Sequence, residues 1–344
     1  RLLRWTRPVS GVTVAVSIDT EEDDWGSYAF EGERTNNIAH LPELQDLFDR
    51  WGARPTYLVN RAPLMSAEST AVLGALSQRD DVEIGAHCHP WNTPPFTGEG
   101  SERSMMCSLT HDENRAKLAE VVGRLRSELG VTPRTFRAGR WGLGPTVGTA
   151  LLAEGFEIDC SVSPFVDWSD IGGADFTRAP HLPYRFRPDR PLLPDPGGEL
   201  IQIPTTVGFM GGAHSLAARA RVFLRRSALR PLRVIGLLDR MGLLARRWLS
   251  PETSSGATMV RLVDSMVVSG APFVQVTFHS CTLLPGATPF VRDAEDRRRF
   301  LKALDTVLAH CHRSGHGFAT LGECPSLLGG GLDVRSSARG DAAD

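Results

Sequence analysis

His87 and His89 stand one residue apart at the end of an apolar, strand-like run, residues 82–86, and Trp91, Asn92, Pro94 and Pro95 follow at once. A buried strand that stops at imidazoles and then turns places a metal or catalytic site at its C-terminal end. Other strand-like runs end in the same way. Asp19 and Glu21 close the run that begins at Val12, Arg137 the run that begins at Thr135, and His279 the run that begins at Pro272. Asp159 lies near the end of a further run, Phe156 to Ser161. Carboxylate, paired imidazoles, guanidinium and a further imidazole, brought together, are what metal-assisted hydrolysis requires. On an extended strand residues i and i+2 share a face, so His87 and His89 can reach one ion, and so can Asp19 and Glu21. By spacing alone the pair also fits one core histidine and one exposed histidine. Cys88, between them, points to the other face and is expected to be a buried structural thiol.

The elements that must position these residues alternate in type. The run Val12–Ile18 is rich in β-branched residues, as a strand buried on both faces would be. Helical spacing follows over Leu41–Trp51, with Gly52 as its C-cap, and over Ser66–Gln78, with Ser66 as N-cap. Further helices are predicted over 111–129, 145–154, 254–269 and 294–314, and further strands over 55–59, 200–204 and 318–321. Residues 163–198 are rich in Pro, Asp and Gly and read as a long surface excursion. Strand and helix alternate about seven times, which implies a parallel sheet with helical crossovers, doubly wound or closed as a barrel. An acidic run, not a glycine turn, follows the first strand, which argues against a nucleotide-binding fold.

Composition narrows the class. With 41% hydrophobic and 23% charged residues the chain of 344 residues has the balance of a globular protein. A net charge of -2 argues against a nucleic-acid binder. Six cysteines without C-x-x-C spacing read as reduced thiols in an intracellular protein. No run has the length of a membrane span, and Arg1–Trp5 do not resemble the start of a signal peptide, so a cytoplasmic protein is expected.

Five stretches in this order resemble the polysaccharide deacetylase superfamily, also called the NodB-homology domain or carbohydrate esterase family 4. They are Ser17 to Glu21, Glu83 to Trp91, Phe136 to Trp141, Ile158 to Ser161 and Thr277 to Leu284. Two details depart from the family pattern. Asp19 and Glu21 are separated by Thr20 where the family usually has adjacent aspartates. Trp91 stands where the family's second histidine, four residues after the first, usually lies, and His89 is the nearest substitute.

The resemblance implies a distorted (β/α)7-type barrel; a single such domain is expected over residues 1–328, with an Arg-rich helical insertion at 214–250 read from its charge pattern and a disordered tail at 329–344 read from its composition. It implies a hydrolase that removes an N-acetyl group from an amino sugar in a glycan, glycolipid or glycosylated metabolite. Glu21, His87 and His89 would hold a divalent ion, Zn²⁺ or else Co²⁺, Ni²⁺ or Fe²⁺. Asp19 would be the base, His279 the acid, Arg137 the anchor of Asp19, and Asp159 the partner of His279. Trp91, Trp141 and Arg140 would contact substrate. Other readings stay open: a metal-independent or differently specific hydrolase of another C–N bond, in a cyclic amide or formamide; a glycan-binding barrel without catalysis; and a membrane-docked scaffold using the Arg-rich segment.

Plainer readings stand beside these. Glu22, Asp23 and Asp24 read as a solvated acidic turn. The insertion carries Arg219, Arg221, Arg225, Arg226, Arg230, Arg233, Arg240, Arg246 and Arg247 among leucines. It suits either a helical flap packed on the barrel with a solvated arginine face or a surface for a membrane, an anionic glycolipid or a partner protein.

Overall fold

The computed structural model describes residues 11–23, 25–28, 33–96, 103–210, 213–226, 239 and 244–327. The strands, in chain order, are β1 (Thr13–Thr20), β2 (Pro55–Val59), β3 (Glu83–Cys88), β4 (Thr135–Ala138), β5 (Ile158–Asp159), β6 (Tyr184–Phe186), β7 (Leu200–Gln202), β8 (Val207–Phe209), β9 (Arg246–Trp248), β10 (Phe273–His279) and β11 (Gly317–Phe318). The helices are α1 (Leu41–Trp51), α2 (Ala67–Ser77), α3 (His111–Leu129), α4 (Pro145–Ala153), α5 (His214–Arg226), α6 (Gly256–Val268), α7 (Ala294–Arg313) and the short α8 (Cys324–Leu327).

Strands β10, β1, β2, β3, β4, β5 and β7 run parallel in that spatial order. Antiparallel β6 takes the far edge, and β11 pairs with the start of β1. Between β7 and β10 the ladder is replaced by irregular chain. Gln275 N donates to Thr206 Oγ1 (2.8 Å) and Thr277 N to Leu249 O (3.1 Å). The result is the expected distorted α/β barrel, curled round but not sealed by a continuous ladder. β1 is buried along its whole length, as a β-branched run enclosed on both faces should be.

The caps read from the sequence are present. Gly52 ends α1 at φ 66°, a left-handed conformation that glycine adopts without strain. Ser66 accepts from Ser69 N at the start of α2, and α3 has in addition a capping box of Thr110 and Glu113 that was not read from the sequence.

Two expectations need correction. Residues 163–198 are not simply a surface excursion: Phe165, Phe176, Tyr184 and Phe186 are buried, and β6 extends the sheet. The Arg-rich insertion is not wholly helical. It opens with α5 but ends in β9, which pairs antiparallel with β8 just outside it. Residues 227–238 and 240–243 of that insertion, and the whole of 329–344, lie outside the described residues, as does Asp24. No helix among the described residues is long and apolar enough to cross a membrane.

Candidate active site

Register brings the polar strand ends together. Asp19 on β1 lies beside His279 on β10, and His87 on β3 lies beside Arg137 on β4. Parallel strands all present their C-terminal ends to one rim, so residues far apart in sequence become neighbours there. Asp19, Glu21, His87, His89 and Arg137 are all buried.

Arg137 anchors Asp19. Its Nη1 donates to Asp19 Oδ1 (2.5 Å) and to Thr277 Oγ1 (3.0 Å). Its Nη2 donates to Ser17 Oγ (2.8 Å) and its Nε to Cys160 O (3.1 Å). Burial works against the charge, but Asp19 outweighs it and holds the guanidinium pKa above its ordinary value. The other oxygen of Asp19 lies 3.6 Å from His279 Nε2.

Glu21, His87 and His89 form a buried group able to hold a metal ion. Glu21 Oε2 lies 3.4 Å from His87 Nε2 and 3.1 Å from His89 Nε2, and the two Nε2 atoms are 2.9 Å apart. Tetrahedral ligands of a Zn²⁺ ion stand about 3.3 Å from one another, so these edges are close to one face of such a tetrahedron. Tautomers fit as well. His87 Nδ1 donates to Arg137 O (2.8 Å) and His89 Nδ1 to Glu22 Oε1 (2.7 Å). Both Nε2 lone pairs therefore face each other and a carboxylate. Such an acceptor-only cluster is stable only around a cation, whether a proton or a metal ion. Burial opposes charge on His89, but Glu22 and Glu21 push its pKa up to about 10. Burial also opposes the charge of Glu21, and the facing histidines hold its carboxyl well below the usual range.

The ligand group is braced from outside. Ser280 Oγ accepts from Glu21 N (3.1 Å), and Cys281 Sγ donates to Glu21 Oε1 (3.4 Å). Asn60 and Asn92 donate to Glu22 Oε2 (2.6 and 3.1 Å). Gly139 leaves room for the His89 ring, since a Cβ there would come within 2.5 Å of His89 Cδ2 and 2.7 Å of Cys88 O. Arg140 and Trp141 then take left-handed backbone conformations (φ 54° and 61°), a sparsely populated region for such residues.

His279 is held by Glu252, which the sequence reading did not single out. His279 Nδ1 lies 3.1 and 3.2 Å from the two carboxylate oxygens, and His279 N donates to Oε1 (2.9 Å). Burial opposes protonation, but Glu252, then Glu21 and Asp19, push the pKa of His279 up to about 10. Trp25 packs edge-on against the same ring at 4.7 Å.

Asp159 does not reach His279. It accepts from Ser161 N (3.0 Å) and Ser161 Oγ (2.7 Å) and from Gln202 Nε2. Burial raises its pKa. Its carboxylate is taken up instead by its own strand end and by Gln202 on neighbouring β7. Glu22 and Asp23 are not a solvated turn either. Both are buried, Glu22 against His89 and Asp23 as acceptor from the backbone N–H groups of Asn36 and Asn37 (2.9 Å each).

The expected contact residues surround the same space. Trp91 stacks on His89 (4.1 Å between centroids, 24° between planes). Arg137 Cζ lies 5.3 Å from the centroid of the Trp141 ring, and Arg140 Cζ 5.1 Å from that of Tyr28. Trp91, Trp141, Arg140 and Tyr28 line a cavity of about 360 Å³ together with Asp19, Glu21, His87, His89 and His279. Trp25, Trp168, Trp248 and Phe290 also line it. Single tryptophans scattered along a chain carry no spacing signal that would have gathered them.

No family model and no curated protein matches the chain. Solved structures do. A "putative polysaccharide deacetylase" from Mycobacterium smegmatis superposes with a TM-score of 0.54 at 14% identity, covering 94% of this chain and 95% of the other. A "putative glycoside hydrolase/deacetylase" from Parabacteroides distasonis superposes with a TM-score of 0.60 at 12% identity, covering 93% and 72%. The barrel described above, with its polar strand ends on one rim, is thus the NodB-homology fold of the polysaccharide deacetylases.

Proposed function

We propose that the chain is a metal-dependent hydrolase that removes an N-acetyl group from an amino sugar. The observation that carries this reading is the acceptor-only group of Glu21, His87 and His89 beside an Asp19–His279 pair. A divalent ion bound there, Zn²⁺ or one of Co²⁺, Ni²⁺ and Fe²⁺, would polarise the acyl carbonyl and acidify water. Asp19, fixed by Arg137, takes a proton from the attacking water. The water oxygen adds to the acyl carbon, the C–N bond breaks, and His279 delivers a proton to the departing amine. Glu252 positions His279 and supports its protonated form. Trp91 and Trp141 offer apolar surface to the acyl methyl or the sugar ring, and Arg140 lines the same cavity. Asp159 is left as a buried brace of β5 and β7.

Metal analysis and acetate release test the reading together. The purified chain should hold one equivalent of metal, lost in His87→Ala. Asp19→Asn should keep the metal and lose turnover by about 10²-fold or more. Full activity in the presence of a strong chelator, with no metal bound, would sink the assignment.

A further inference from the structure

The walls of the cavity say something about the substrate that the reaction centre does not. Five of the seven tryptophans in the chain line it: Trp25, Trp91, Trp141, Trp168 and Trp248, joined by Phe290. They do not form one flat platform. Trp141 and Trp248 meet at 46° (5.5 Å), Trp25 and Phe290 at 80° (5.4 Å), and Tyr28 and Trp91 at 86° (5.0 Å). Inclined rings of this kind enclose a volume, whereas a sugar stacked by its apolar face needs one ring plane with polar partners around its edge.

Those polar partners are few. Beyond the reaction centre and Thr277, which is bonded to Arg137, the polar side chains lining the cavity among the described residues are Tyr28, Arg140, Ser250 and Thr253, together with the indole N–H groups of the tryptophans, which donate but accept nothing. Arg140 donates to Ser104 and packs on Tyr28, and Ser250 Oγ accepts from Glu252 N (3.3 Å). The Trp168 indole N–H is already given to Ser163 Oγ (2.8 Å). An unmodified oligosaccharide carries hydroxyls on every ring, and burying them here would leave their O–H donors short of acceptors, at a cost comparable to a lost hydrogen bond for each. A group of alkyl or aryl carbon would lose nothing and gain contact with the rings.

We propose, on the basis of the deacetylase reading above, that the amino sugar carries a large apolar aglycone and that the tryptophan walls enclose it. The specificity of this barrel then lies with small lipid-like or aryl-linked glycosides, not with long polysaccharide chains. Trp168, Trp248 and Ile171, which line the cavity and belong to neither the ligand group nor the Asp19–His279 pair, take the aglycone.

The test uses the full chain loaded with Zn²⁺ and four probes: the methyl, phenyl and octyl β-glycosides of N-acetylglucosamine, the last below its micelle concentration, and chitotetraose. Binding is measured calorimetrically to Asp19→Asn, and acetate release is measured with the unaltered chain. The octyl or phenyl glycoside should bind at least about tenfold more tightly than the methyl glycoside, and chitotetraose no better than it. The two arms distinguish alkyl from aryl. Trp248→Ala and Trp168→Ala should narrow the octyl-to-methyl ratio. Equal affinities, a preference for chitotetraose, or a ratio untouched by both substitutions would overturn the proposal. Tight octyl binding without acetate release would leave it standing and remove the deacetylase reading instead. Acetate release with equal affinities would do the reverse.

Discussion

Glu22 accepts from His89 Nδ1 and from the amides of Asn60 and Asn92, so one carboxylate sets both the tautomer and the tilt of a ligand imidazole. A neutral amide in its place keeps the shape but weakens the basicity of His89. Glu22→Gln should therefore cost about 10–100-fold in metal affinity, read by competition with a chelator, and a loss below about twofold would show that Glu22 is only filler. Glu33 is a different case. Burial and the charge of Glu22 push its pKa up to about 8, while Asn92 Nδ2 donates to it (2.6 Å). Because the folded pKa lies above the unfolded one, the unfolded chain releases this proton first as pH rises. Stability is then lost between about pH 4.5 and pH 8. Glu33→Gln should raise Tm relative to the parent at pH 8.5 and leave it little changed at pH 4. A Tm difference that does not grow with pH would refute the assignment. Neither role was visible in the sequence, where Glu22 read as one of several solvated acids and Glu33 carried no pattern.

At the scale of elements, the turn after β4 governs the neighbouring strand end. Gly139 follows Ala138 at the end of β4, directly against the His89 ring that leaves β3. Gly139→Ala should displace His89, lowering metal affinity by at least about tenfold and Tm by several degrees. If both stay at parental values, the packing argument fails. The loop after His89 is held from below by α3. Lys117 Nζ donates to the carbonyls of Pro90 (2.9 Å), Thr93 (2.5 Å) and Pro95 (2.8 Å), a buried ammonium used as a brace. The helices themselves were legible because apolar spacing and caps are local. Leu41–Trp51 and His111–Leu129 end at Gly52 and Gly130, as their sequences imply. The short strands β6 and β9 were not legible. They are three residues each and pair at edges, where the partner and not the local pattern makes the strand.

For the whole molecule, the site is shared among β1, β3, β4 and β10, together with the chain that fills the gap beside β10. A bound ion would therefore join distant parts of the barrel. Its binding free energy adds to folding stability. At a free concentration a hundredfold above Kd the stabilisation is about 2.7 kcal/mol, several degrees in Tm. Zn²⁺ should raise the Tm of the parent chain and not that of His87→Ala. A shift of equal size in both would place the ion elsewhere.

By itself the sequence determined the alternation of strand and helix, the capped helix ends, and the strand-end residues Asp19, Glu21, His87, His89, Arg137 and His279. Those features follow from periodicity and from the rule that parallel strands turn one end to one rim, both of which are local or topological. Only the tertiary structure decided which carboxylate serves which histidine. Glu252 lies 27 residues before His279 and meets it because the chain returns from β9 into the gap beside β10, while Asp159 is held by Ser161 and by Gln202 on β7. It also decided that His89, with Trp91 stacked upon it, faces Glu21 and His87. Those outcomes depend on the curvature of the sheet and on packing between distant segments, which no spacing along the chain encodes.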